Sequence, residues 1–284
     1  MSRSLVVPAP GARAVACAAP LLALATLLPP AHAGAQEASV NTLVATTYVF
    51  RGVTLTNVPT LQPRVTVGRA TFGGTLSALA VGNVEFAIPT GANAISESGG
   101  AAGVNEVDLV AQFAHPVGAA VVAVGATRYA FSGHNRVLTS AFNTTELFAS
   151  ARLERVWGAP SIAANWDVQA IHGVYLEAAG SRSVAMGRLA PTLGVLAGYS
   201  AGQERRDASD AFFLFEKRGL THVDVSASQV LHVGHVDVAP ALHVQLSPAG
   251  QNTRITGALP RYADRGTKLW FGIDMGWSRA ARDH

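Results

Sequence analysis

The side chains best suited to chemistry gather late in the chain: His222, His232, His235 and His243. Asp224, Ser226 and Ser228 lie among them, supplying the residue types of an orienting acid and a nucleophile beside a base. A triad is defined by geometry, however, and no motif frames these residues. The chain has no phosphate-binding loop and no His-Glu-x-x-His. His232-x-x-His235 straddles Val233-Gly234, a predicted tight turn, and two histidines without further ligands do not make a zinc site. The expectation is therefore no catalytic set, no metal and no cofactor.

A second group of residues carries charge rather than reactivity. Arg64, Asp108, Arg128, Arg152, Glu154, Asp167, Glu177, Asp224, Asp237, Lys268 and Asp274 are spread over many short segments, each beside apolar neighbours. If these segments share a water-filled interior, inward arginines opposite carboxylates form a constriction that sorts solutes by charge. The same residues could simply neutralise one another across a small lumen. Arg51, ahead of Gly52, is expected at the outer end of the first strand.

The elements that would position them have period two. Leu269, Phe271, Ile273, Met275 and Trp277 alternate with Lys268, Trp270, Gly272, Asp274 and Gly276. Val107, Leu109, Ala111 and Phe113 alternate with Glu106, Asp108, Val110 and Gln112. The pattern recurs at 146–154, 222–228 and 235–246, a spacing that strands bury on one face and helices do not. Twelve candidate strands follow: about 40–51, 61–70, 73–86, 104–115, 117–129, 143–154, 161–169, 173–182, 189–200, 219–232, 234–247 and 266–278.

Connections rich in Gly, Ser, Asn or charge at 87–103, 130–142, 201–218 and 248–265 alternate with short ones. Strand length, even number and this alternation predict an all-β fold, a transmembrane antiparallel up-and-down β-barrel. Ten and fourteen strands fit too, and a soluble β-sandwich shows the same alternation. Tyr48, Phe50, Tyr129, Phe131, Trp157, Tyr175, Tyr199 and Trp277 fall near strand ends, as in interfacial aromatic girdles.

Composition narrows the class. Hydrophobic residues are 49% and charged residues only 14%, which excludes intrinsic disorder. Arg3 and Arg13 precede an apolar stretch, Ala14 to Leu28, and then Pro29-Pro30 and small residues. Residues 1–35 thus read as a secretory signal, with cleavage after Ala33 or Ala35. Residues 36–284 are expected as a single barrel domain. Cys17, the one cysteine, falls in the signal, so the mature chain has no thiol chemistry. The formal charge of +3 includes Arg3 and Arg13 and contains no dense basic run, so a nucleic-acid partner is not expected.

Tyr48-Val49-Phe50-Arg51-Gly52-Val53-Thr54-Leu55-Thr56, followed by Pro59 and Gln62, resembles the opening of a proteobacterial family of small outer-membrane porins. Asn83-Val84-Glu85-Phe86, Glu106-Val107-Asp108-Leu109, Tyr175-Leu176-Glu177, Gly198-Tyr199-Ser200 and Leu269-Trp270-Phe271-Gly272 resemble later strands. Thr46-Thr47 replace an Asp or Asn pair common in that family, and the final aromatic typical of it is replaced by Ser278 to His284 after Trp277, which leaves either weaker recognition by the barrel-assembly machinery or Trp277 as an internal substitute. The resemblance implies an outer-membrane barrel passing small hydrophilic solutes by passive diffusion, in contact with outer-membrane lipid. It also implies handling by periplasmic chaperones and the barrel-assembly machinery. The alternatives are a non-conducting structural or adhesive barrel and, behind it, an outer-membrane enzyme.

Overall fold

A sheet that is apolar on one face and polar on the other leaves both faces and both edges unprovided for. Curling it until the edges pair gives each face its own surroundings and removes the edges. The computed structural model does this; it describes residues 36–86, 103–132, 143–207, 213–248 and 266–279. All of these belong to one compact unit, Ala33–His284. The expected signal, and parts of the long connections, lie outside the described residues.

The strands are β1 (Gln36–Ala45), β2 (Tyr48–Phe50), β3 (Val53–Thr56), β4 (Thr60–Thr71), β5 (Gly74–Glu85), β6 (Gly103–Val117), β7 (Ala120–Phe131) and β8 (Thr144–Arg152). They continue as β9 (Ser161–Asp167), β10 (Val174–Ser183), β11 (Thr192–Ala201), β12 (Gly219–Ser228), β13 (Leu231–Val233), β14 (Val236–Ser247) and β15 (Gly266–Arg279). No helix occurs among the described residues.

Twelve of these strands make the wall. β4 to β12 pair in sequence order, β12 pairs with β14 around the short β13, β14 with β15, and β15 with β1, which returns to β4. Every pairing is antiparallel and the ring is closed. This is the expected transmembrane up-and-down barrel, and twelve is its strand number.

Register fixes which face points where. Leu76, Leu109, Val124, Leu147, Ile162, Leu176, Val195, Val225, Leu242 and Phe271 are all exposed and stand on one face of the ladder. The opposite face holds Asn83, Glu106, Glu146, Asp167, His222 and Gln245, all buried. Apolar groups outside and buried polar groups inside invert the arrangement of a soluble protein, and suit a wall between lipid and a polar interior.

One connecting end has short turns. At 72–73, Phe72 (φ 49°) and Gly73 (φ 72°) both take positive φ, the two-residue turn whose twist matches a hairpin. The other end carries the long connections, and there the chain departs from expectation. The segment expected as one strand over 40–51 breaks at Thr46: β1 stops at Ala45, and residues 48–56 form a separate hairpin, β2–β3, unpaired with the wall. Thr46 N–H donates to the Phe271 carbonyl (2.9 Å) and Thr47 Oγ1 to that of Thr56, which turns the chain inward. Val53 to Thr56 are buried.

Candidate functional site

The hairpin places its tip, Arg51-Gly52, inside the barrel. Arg51 (φ 50°) and Gly52 (φ 86°) form a two-residue turn with positive φ at both positions, between Phe50 and Val53. Arginine is an unfavourable residue for that conformation, so the surroundings must hold it there.

They do so from several walls. Arg51 Nη1 and Nη2 each donate to a Glu146 oxygen at 2.6 Å, a bidentate pair, with β8 supplying the carboxylate. Arg51 Nη1 also donates to Gln203 Oε1 (3.1 Å), while Gln203 Nε2 donates to Glu146 Oε1 (3.0 Å) and the Tyr129 hydroxyl to Glu146 Oε2 (3.1 Å). The guanidinium carbon lies 4.8 Å from the Phe50 ring centre and 4.5 Å from that of Tyr175. Burial works against the charge on Arg51, yet the Glu146 carboxylate and its hydrogen bonds outweigh it and hold the group protonated.

Gly52 is fixed from the far side. Its carbonyl accepts from Gln245 Nε2 of β14 (2.8 Å) and from Lys268 Nζ of β15. The His222 ring lies so close that a Cβ on Gly52 would meet it at 2.6 Å. Around the hairpin, Val53, Leu55, Tyr175, Leu214 and Phe215 form a buried apolar cluster, flanked by Tyr48, Phe50, Phe131 and Ile171. Residues 213–215 lie against residues 203–205: Leu214 N–H donates to the Gln203 carbonyl (2.9 Å) and Arg205 N–H to that of Phe215 (2.8 Å). Ser200 Oγ and Gly202 N–H donate to Glu204 at 2.6 and 2.7 Å. Burial opposes ionisation of Glu204, but these donors prevail and its pKa falls below the ordinary value.

The expected lumen residues divide. Arg64 pairs with Asp274 across β4 and β15, and Asp224 Oδ1 accepts from His243 Nδ1 at 2.9 Å, with His243 stacked on Trp270 at 3.6 Å. Asp108, Glu177 and Lys268 share the inward face. Arg152 has inward parity but is exposed at the short-turn end, as is Asp237, which pairs with His232.

Two expectations are corrected, and a third residue has an added role. Arg128 is register partner to outward-facing Leu109, so it stands on the outside, where it donates to Thr145 (3.2 Å) and Gln169. Glu154 lies beyond β8 in an exposed turn, because the strand ends at Arg152. Asp167 keeps its inward place beside Glu146 and lines the interior, but it is also a loop cap: Oδ1 accepts the N–H groups of Gln169, Ala170 and Ile171 at 3.0 Å, and Oδ2 the Thr144 hydroxyl. The aromatic girdle is corrected too. Tyr48, Phe50, Phe131 and Tyr175 pack around the inner cluster, and Tyr129 bonds Glu146 there, whereas Trp157, Tyr199 and Trp277 are exposed.

Sequence reasoning passed over Glu146 and Gln203, whose role depends on the inward hairpin. It also passed over Gly198-Tyr199-Ser200-Ala201-Gly202, which spells the nucleophile-elbow pattern. Here the pattern sits at the end of β11, with no strand-to-helix turn, and Ser200 is buried and donates to Glu204. No cluster of metal-ligating side chains occurs among the described residues.

The class defined by this wall and its polar interior is the transmembrane β-barrel. No protein-family model and no curated protein matches the chain. Among solved structures it is similar to the KdgM porin, at 9% identity and TM-score 0.42 over 85% of this chain and 98% of the porin. It is also similar to an outer membrane channel from Pseudomonas putida F1, at 14% identity and TM-score 0.46 over 88% and 97% of the two chains. LpxR from Salmonella typhimurium matches at 10% identity and TM-score 0.48 over 84% and 99%.

Proposed function

We propose that this protein is an outer-membrane channel that passes small hydrophilic solutes passively. The observation that carries the reading is the inner face itself. Asn41, Arg64, Thr66, Ser77, Asp108, Gln112, Ser150, Asn165, Glu177, Asp224, His243 and Asp274 take inward positions around the wall. Such a lining is costly in a dry core and inexpensive beside water. The exposed apolar outer face supports insertion in lipid. The resemblance of Tyr48–Thr56 to small outer-membrane porins supports the compartment.

A second reading has its own observation. The hairpin tip is tied to β8, β14 and β15 and fills the lumen at the long-loop end, as a closed structural barrel would require. Single-channel recording of the refolded chain in a planar bilayer separates the two. Discrete, salt-dependent steps are expected of the channel; a heat-modifiable, inserted protein without current establishes the closed barrel instead.

A further inference from the structure

Beside the Arg51 pair the interior keeps a cavity, walled by the rings of Phe50, Tyr129, Phe131 and Phe213 and by the carboxylates of Glu106 and Glu146. Arg51 shows what this environment holds: a planar cation between two aromatic rings, charge-matched by Glu146. That match uses one carboxylate. Glu106, buried on β6, accepts from the Tyr48 hydroxyl at 2.9 Å and shares a hydrogen bond with Asp108, two residues on along the same inward face, so the two carboxyls hold a proton between them; neither is in an ion pair among the described residues. Arg51 is the cation among the lining residues, set against Glu146, Asp167 and the Glu106–Asp108 pair, inside walls of low polarity where Coulomb attraction is little screened.

We propose that this cavity binds a small organic cation of the alkylammonium or alkylguanidinium class, with its charge against Glu106 and its carbon chain against Phe50, Tyr129 and Phe131. An anion of the same shape meets several carboxyl groups and an Arg51 already matched to Glu146, and a neutral one leaves the Glu106–Asp108 pair as it was. Binding does not depend on conduction, so a chain that passes no current tests the proposal equally well.

The experiment uses one carbon skeleton with three charges. n-Butylammonium, n-butanol and n-butyrate are titrated by calorimetry into the detergent-folded full chain at constant ionic strength. n-Butylammonium is expected to bind about ten-fold or more tightly than n-butanol, the scale of a desolvated cation–π contact with a carboxylate behind it. n-Butyrate should give no heat of binding. Glu106→Gln should lower the ammonium affinity about ten-fold, and Phe131→Leu by a smaller factor, with heat-modifiable migration showing that each variant folds. Equal binding of the ammonium and the alcohol, preference for the butyrate, absence of ammonium binding, or undiminished binding in a folded Glu106→Gln chain would each overturn the proposal. If Glu106→Gln does not fold, the three-ligand series on the unmodified chain decides alone.

Discussion

The two halves of the lumen are built from the same strands but organised differently. Toward the long connections, a returning segment fills the interior, and polar side chains are buried and tied to it: Glu146 and Gln203 to Arg51, Gln245 and Lys268 to Gly52. Toward the short turns no described segment returns. The inward positions there are small or half-buried, as at Thr66, Gly68, Ser77, Ser150, Ser181 and Ser226. One alternating pattern therefore makes both a packed interior and an open one. The difference is a loop long enough to fold back and a tip with donors and acceptors on both sides.

Arg51→Ala should have the largest effect on this contrast. It strands the buried Glu146 carboxylate, a loss of about 3–5 kcal/mol for a broken buried pair. The barrel should lose its folded gel mobility at lower temperature, and on the proposed channel function its conductance should rise as the long-loop half comes to resemble the other. The double change Arg51→Met with Glu146→Leu removes both charges and should recover most of that stability; a double variant as unstable as Arg51→Ala would show that shape, not charge pairing, seats the hairpin. Gly52→Ala comes next, at about 1–3 kcal/mol, because an L side chain there must take positive φ and push against His222. Arg64→Ala in the open half breaks a pair whose side chains are about a third exposed. It should cost less than ~1 kcal/mol and barely move the melting of the barrel. An effect matching that of Arg51→Ala would erase the distinction between the halves.

The wall was legible because a strand reports its faces every second residue. Leu269 to Trp277 and Val107 to Phe113 face outward as their alternation requires. Arg128 was not legible: Val121, Val122, Ala123 and Val124 are apolar on both faces of β7, and only the register with β6 sets Arg128 against Leu109. The hairpin did leave a local signal. Tyr-Val-Phe and Val-Thr-Leu-Thr flank two residues ending in glycine, the length of a tight hairpin, but the run from Thr42 reads equally well as one strand. Which way such a hairpin swings, and that Glu146 and Gln203 await it, are consequences of contacts made 95 and 152 residues away.

Those separations order the assembly of the molecule in time. The hairpin follows β1 at the start of the described chain, yet its anchors arrive with β8, Gln203, β14 and finally β15, whose Lys268 is 216 residues from Gly52. The strand that brings this last anchor also zips the seam with β1. Docking of the hairpin and closure of the ring are thus one late event, and protection of the 46–59 segment from protease should appear together with folded gel mobility rather than before it. Until then a segment made early in the chain waits for the strand made last among those described.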